Sequence, residues 1–398
     1  MVYLDHAATT PMLPEAIDAL TAALAVVGNP SSIHSAGQQA KRLLEESRER
    51  VAATLGADGI EVVFTGNGTE AVNLAIKGLW WQRRTAAASA AEPAAGSSTA
   101  RRRILMPAGE HHATIDTAEW LVAHEGAEVV ELPLDEVGRL RLDVLADELE
   151  RGAASIALVT MLWANNETGV LFPVDRIAAL CKSKRVPFHC DGTQAVGKIP
   201  VNVHALGLDA MSCASHKFHG PKGVGSLFVR RGLRIRPLVI GGPQEHSHRG
   251  GTENVPGIVG MGVAAQLAQA ALPEMTRVAA MRDRLESAIL TTIDQTKVNG
   301  RTDTRLPNTT NIGFSRLEAE AILLLLSEQN ICASAGAACS SGSLEPSHVL
   351  QAMKIDPKTA HGAIRFSLSR YTTQQDIDRA LEVLPKVIHR LRAVLPVG

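Results

Sequence analysis

Ser215-His216-Lys217-Phe218-His219-Gly220-Pro221-Lys222-Gly223 sets one lysine directly before a glycine-rich hook. Upstream, the apolar run Val186-Pro187-Phe188-His189-Cys190 delivers Asp191-Gly192-Thr193-Gln194. The carboxylate comes at the end of that apolar run, and another strand-like run, 210–213, precedes the lysine. A carboxylate paired with a Ser-His-Lys turn is the donor set that pyridoxal phosphate requires. The lysine amine forms a Schiff base with the aldehyde, and the carboxylate keeps the pyridine nitrogen protonated. An ordinary Asp–Lys salt bridge is the plain alternative.

Working outward, strand-like runs alternate with helix-like ones, which predicts an α/β fold with a mostly parallel seven-stranded sheet covered by helices. The candidate strands are 61–65, 103–107, 128–132, 156–161, 186–190, 210–213 and 225–230, with helical periodicity over 70–81, 113–125 and 174–184. Past residue 257 the pattern changes. Two helices expected to be amphipathic, 257–272 and 273–295, precede short strands at 309–314 and 364–368 and a last helix at 373–394. This predicts a large domain over 14–257 and a smaller α+β domain built from 1–13 and 258–398. Thr85 to Ala100 is nearly all Ala and Ser and reads as a flexible surface insertion, followed by Arg101-Arg102-Arg103.

Composition narrows the class. The chain has 398 residues, 45% hydrophobic and 20% charged, with a net charge of −1. That is the profile of a soluble globular enzyme, with no global field toward nucleic acid or anionic membrane. The three arginines are more simply a solvated strand entrance than a nucleic-acid site. Five cysteines without CxxC spacing point to a reducing compartment and to no metal site. Cys190 and Cys213 end apolar runs and read as core residues, as does Cys332. No signal segment opens the sequence, and no apolar stretch is long enough to span a bilayer. A cytoplasmic protein is expected.

Further strings fit around the lysine. Phe64-Thr65-Gly66-Asn67-Gly68-Thr69-Glu70 turns a strand into a helix, and its N–H groups at Gly68 and Thr69 suit a phosphate; an ordinary turn with Thr69 as N-cap is the alternative. Glu110-His111-His112 offers an imidazole for stacking and proton transfer, or two surface histidines, or, as the weakest reading, a metal pair. Trp163-Ala164-Asn165-Asn166-Glu167-Thr168-Gly169 offers an amide donor, or a polar turn. Arg365, alone in the apolar strand Ala363-Ile364-Arg365-Phe366-Ser367, suits a substrate carboxylate or an internal acid. Cys339 lies in Ala335-Gly336-Ala337-Ala338-Cys339-Ser340-Ser341-Gly342-Ser343, where small neighbours permit a flexible, reactive thiol rather than an inert core one.

Taken in order with Tyr3-Leu4-Asp5-His6-Ala7-Ala8-Thr9-Thr10-Pro11, Gly28-Asn29-Pro30-Ser31-Ser32, Arg249-Gly250-Gly251-Thr252-Glu253-Asn254 and Glu345-Pro346-Ser347-His348, these strings resemble the NifS/IscS-type cysteine desulfurases, fold-type I pyridoxal phosphate enzymes. The resemblance runs nearly end to end. It implies removal of sulfur from L-cysteine to give L-alanine, with Cys339 on an extended loop taking the sulfur as a persulfide. Lys217 then holds the cofactor, Asp191 pairs with the ring nitrogen, and Gln194 and Asn166 lie near its phenolic oxygen. His111 stacks on the ring and helps move protons. Gly68, Thr69 and His216 bind the phosphate, with Thr252 supplied by the second subunit of a homodimer, and Ser215 is a further cofactor-binding residue. Arg365 takes the substrate carboxylate together with Asn166. A sulfur-acceptor protein, serving iron–sulfur cluster assembly, tRNA thiolation or DNA sulfur modification, is the implied partner. Four features depart from the family pattern: Ala214 where a serine is usual, Ala335 and Ala337 in place of loop serines, Asn67 and Ala71 in the phosphate turn, and the 85–100 insertion. Another fold-type I enzyme, such as a selenocysteine lyase or an aminotransferase, is the alternative, and it would not need Cys339.

Overall fold

The computed structural model describes residues 1–89, 101–300, 303–335 and 345–394, with the side chains of 85–89 excepted. Cys339, most of the 85–100 insertion and the Ala335–Ser343 string beyond its first residue lie outside the described residues.

The chain opens on a two-residue strand, β1 (Val2–Tyr3), then two helices, α1 (Pro14–Leu24) and α2 (Ser35–Leu55). Seven strands follow: β2 (Val62–Thr65), β3 (Arg103–Pro107), β4 (Glu128–Leu132), β5 (Ile156–Leu162), β6 (Phe188–Asp191), β7 (Ala210–Ala214) and β8 (Gly225–Val229). They form one sheet in the order β2-β8-β7-β6-β5-β3-β4. Only β8 runs against its neighbours. The central strands β5, β6 and β7 are buried along their whole length, as a sheet covered on both faces requires. The covering helices between strands are α3 (Gly68–Ser89), α4 (His112–Glu125), α5 (Leu142–Gly152), α6 (Val174–Ser183) and the single turn α7 (Val203–Leu206). All seven strands lie within two residues of their expected positions. The first five residues of the expected insertion are helical, because α3 continues through Ser89.

Beyond β8 come α8 (Val255–Ala270), α9 (Met275–Thr292), β9 (Thr296–Val298), β10 (Thr309–Phe314), α10 (Ala319–Glu328), β11 (Ile331–Cys332), two short helices α11 (His348–Ala352) and α12 (Pro357–Ala360), β12 (Ala363–Ser367) and α13 (Gln374–Val394). Strands β12, β10 and β9 form an antiparallel sheet, and β11 pairs with β1. Helices α9, α10 and α13 share a second hydrophobic core with this sheet, built on Leu285, Phe314, Phe366 and Leu384. Helix α8 differs from expectation. It is apolar on nearly all sides, with Ile258, Met261, Ala264 and Ala265 in the core of the large sheet. The reason is its position between α1 and α2 and the sheet, where Gly262 lets the Ser47 backbone of α2 come so close that a Cβ would sit 2.9 Å from it.

A buried ion pair ties the segment between β8 and α8 to this core. Arg48 of α2 grips Glu245 with both nitrogens, at 2.6 and 2.8 Å, and Glu245 also accepts the Phe64 N–H at 2.7 Å. Both side chains are almost wholly buried. Removing one partner strands the other charge, so Arg48→Ala is expected to destabilise the fold by about 3–5 kcal/mol in denaturant unfolding.

Candidate active site

The carboxyl ends of β2, β3, β5, β6 and β7 open onto one cavity of about 290 Å³. The turns after these strands contribute Gly68 and Thr69, His111, Asn166, Asp191 and Gln194, and His216 and Lys217. Arg365 enters from β12 of the second core, and Ala7 and Ala8 from the segment after β1. Nine residues singled out in the sequence therefore line one space, although 297 positions separate Gly68 from Arg365.

Lys217 follows β7 on a short 3-10 turn. Its ammonium donates to the Ala7 and Ala8 carbonyls, at 2.7 Å each. Asp191 ends β6, and its Oδ1 accepts the Thr193 N–H and the Ser212 hydroxyl, both at 3.0 Å. Ser212 in turn lies 3.2 Å from His189 Nε2, and His189 Nδ1 lies 2.9 Å from the Thr160 hydroxyl. Since the Ser212 proton goes to Asp191, His189 must donate from Nε2 and accept from Thr160 at Nδ1. Burial pushes the His189 imidazole down to about 4, so it stays neutral in this chain of donors. Asp191 keeps Oδ2 for the cavity it lines.

Helix α3 starts at Gly68, and Asn67 caps it by accepting the Glu70 N–H at 2.8 Å. The cap is thus Asn67, not Thr69, which leaves the Gly68 and Thr69 N–H groups at the positive end of a long helix. A Cβ at Gly68 would meet the Ala214 methyl at 3.0 Å, so this wall has no room for a larger residue. His111 caps α4 by accepting the Ala113 N–H on Nδ1 at 3.0 Å, so its neutral ring carries the proton on Nε2. Burial lowers the His111 pKa, partly offset by Asp191. Burial also pushes His216 down to about 4, with the Lys217 charge adding to it. His112 pairs instead with Asp116 and packs edge-on against His348.

Arg365 meets an internal acid, one of its two sequence readings. Its guanidinium donates to the Asn166 carbonyl at 2.7 Å and to Asp5 at 2.8 Å, and it also faces the cavity. Two expected residues lie elsewhere. Ser215 is fully buried behind the wall and packs under Gly220, where a Cβ would sit 2.0 Å from its hydroxyl. Thr252 is exposed and lines no part of this cavity. Cys190 and Cys213 are core residues as expected, whereas Cys332 is only partly buried. The Ala7 and Ala8 carbonyls, Thr193 and Asn67 were not anticipated. All four sit inside strings quoted above, but backbone acceptors carry no side-chain signal.

Comparison with known proteins places this cavity in a family. The sequence matches the aminotransferase class-V family over residues 2–380. The chain belongs to that family. It is 47% identical over 401 residues to a cysteine desulfurase of Trichormus azollae, covering all of this chain and 95% of the relative. A solved NifS-like protein superposes with a TM-score of 0.87 at 32% identity, over 98% of this chain and all of the other. A structure described as SspA in complex with cysteine matches at 0.78 and 29% identity, over 94% of this chain and 100% of that one. Members of this family are pyridoxal phosphate enzymes, and the residues present fit that group. The buried Asn166 Oδ1 has no hydrogen-bond partner among the described residues, Asp191 presents a second oxygen, and the Gly68 wall admits close approach to a helix N-terminus.

Two buried acids flank the site. Glu167 accepts the Ser347 hydroxyl at 2.6 Å, and Glu110 accepts the Leu162 N–H at 2.7 Å. Burial pushes the Glu110 carboxyl up to about 8, Asp191 adding to the rise and the Leu162 N–H opposing it. A carboxyl raised on folding contributes stability that is complete below about 4.5 and is lost as the pH climbs through about 8. Glu110→Gln keeps an acceptor for Leu162 and removes the titration. Its denaturant midpoint is expected to fall less than that of the parent across this window, as measured by unfolding at matched cofactor content.

Proposed function

We propose that the chain is a pyridoxal phosphate-dependent cysteine desulfurase. L-cysteine and the Cys339 thiol give L-alanine and a Cys339 persulfide. The substrate C–S bond breaks, an S–S bond forms on Cys339, and a proton takes the sulfur's place on carbon. The observation that carries this reading is the convergence of Lys217, Asp191, His111 and the α3 N-terminus on one cavity, in a chain nearly half identical to named cysteine desulfurases.

When bound, the cofactor supplies an electron-poor ring that withdraws electrons from the substrate's α-carbon. The residues of this chain do the rest. Lys217 holds the aldehyde carbon and moves the α-proton. Asp191 Oδ2 keeps the ring nitrogen protonated by a charge-assisted hydrogen bond. Gln194 and Asn166 face the phenolic oxygen, and His111, neutral and protonated on Nε2, stacks on the ring and serves in proton transfer. Gly68, Thr69 and His216 take the phosphate, and Thr252 does so from a second copy of the chain in a homodimer. Ser215 supports the turn that carries Lys217. Arg365 takes the substrate carboxylate, which displaces or shares the Asp5 contact. Cys339 passes its sulfur to an acceptor protein. The division into a large cofactor domain and a smaller domain carrying the cysteine segment goes with this reading, with the boundary after α8 because α8 packs into the first core. No single helix among the described residues is long and apolar enough to cross a membrane, and we place the enzyme in the cytoplasm.

Incubation with L-cysteine tests the reading. Alanine should accumulate and mass spectrometry should find one extra sulfur on Cys339; a keto-acid product would identify an aminotransferase instead. Lys217→Ala is expected to abolish turnover, and catalytic alanine release by that variant would remove the assignment. Cys339→Ser is expected to keep the yellow cofactor and lose persulfide transfer, measured by labelled-sulfur transfer to an added thiol.

A further inference from the structure

Lys198 is a buried cation with no assigned task. It is 7% exposed and follows Gln194 by one turn of the segment after β6. Its ammonium reaches back to the Gln194 backbone carbonyl at 3.0 Å and to Gln194 Oε1 at 3.1 Å. No ion pair of Lys198 occurs among the described residues. The small space beside it is lined by His6, Lys217, His219 and Arg370 but by no carboxylate. Arg365 acts on it as well, while Asp376 acts on His6. A cation buried among cations and imidazoles does not stabilise this fold by its charge. The contact it makes is with one side chain, Gln194.

That contact decides which way the amide points. Gln194 Nε2 donates to the Ala7 carbonyl at 2.9 Å, the same carbonyl that receives Lys217. A carbonyl only accepts and an ammonium only donates. A flipped amide would set NH₂ against the Lys198 ammonium and oxygen against the Ala7 oxygen, two repulsive contacts in place of two hydrogen bonds. With Oε1 held by Lys198 and one N–H held by Ala7, the group that Gln194 has left for the cavity it lines is its second N–H. We propose that Lys198 is a positioning residue that locks the Gln194 amide as a hydrogen-bond donor toward the cofactor's phenolic oxygen. The inference rests on the pyridoxal phosphate reading above. Burial, then the charges of Lys217 and Arg365, lower the Lys198 amine to about 7. Its neutral form keeps N–H donors for Gln194 Oε1, and the Ala7 carbonyl still only accepts, so the amide keeps its orientation above that pH.

The experiment is a pH titration of the visible absorption of the cofactor-loaded protein, comparing the parent chain with Lys198→Met, Gln194→Leu and the double variant. A donor to the phenolic oxygen favours its ionised form, so losing the lock raises the midpoint of the colour change. Lys198→Met should raise it by roughly one pH unit. In the Gln194→Leu background the same change should move it no further, because the lysine acts through the amide. An unshifted midpoint in Lys198→Met overturns the proposal. So does a shift that persists in the Gln194→Leu background, which would make Lys198 a direct charge effect on Lys217. If Lys198→Met does not load, Lys198→Ala carries the same comparison. A parent protein that shows no cofactor band sinks the cofactor reading itself, and that result is distinct from either overturning outcome.

Discussion

Two backbone carbonyls at the start of the chain organise the site. Ala7 and Ala8 receive the Lys217 ammonium, and Ala7 also receives Gln194. Carbonyl dipoles hold a cation in place without neutralising it, so the amine can be released to react. The segment bearing them must therefore be fixed on both sides, and it is. The Ala7 N–H donates to the Ser367 hydroxyl of β12 at 2.8 Å, and Asp5 pairs with Arg365 on the same strand. Thr10 donates to the His216 carbonyl through both its N–H and its hydroxyl, and its hydroxyl accepts the His219 N–H. This strap joins the antiparallel sheet of the second core to the lysine turn of the first.

Desolvation then sorts the charges. His6, His189, His216 and His219 are all pushed down by burial, so they stay neutral as donors, acceptors and packing surfaces. Glu110 and Glu167 are pushed up by the same cause. Asp191 accepts two donors on one oxygen, and Arg365 donates to Asp5 and a carbonyl. The cavity thus presents the Asp191 side chain on β6 and the Lys217 and Arg365 side chains from different cores. That arrangement suits an amino acid bound through both its amine and its carboxylate.

Much of this was legible in the sequence. Strand runs such as Ile156–Leu162 are apolar but for Thr160, and a strand buried on both faces has few other ways to read. Gly68, His111, Asn166, Asp191 and Lys217 each follow such a run, so their place at the sheet's carboxyl edge came with the strand assignment. Helix α8 departs from expectation because a helix apolar on nearly all sides has no broad polar stripe to show its face. Ser215 was misjudged because adjacency to Lys217 says nothing about which way a turn aims a hydroxyl. Thr252 is exposed and lines no part of the cavity of its own chain.

Residue chemistry and local spacing were enough to name the parts: a lysine after one strand, a carboxylate after another, glycines before a helix and an arginine inside a late strand. These are short-range features, dictated by turn geometry and burial within a few residues. Tertiary structure alone decided that the Ala7 carbonyl faces Lys217, 210 positions away, that Arg365 meets Asp5, 360 positions away, and that Lys198 folds back onto Gln194 rather than onto an acid. Backbone carbonyls are the same at every residue, and an ion pair is chosen by distance in space. No local pattern records either until the two cores have closed around the strap.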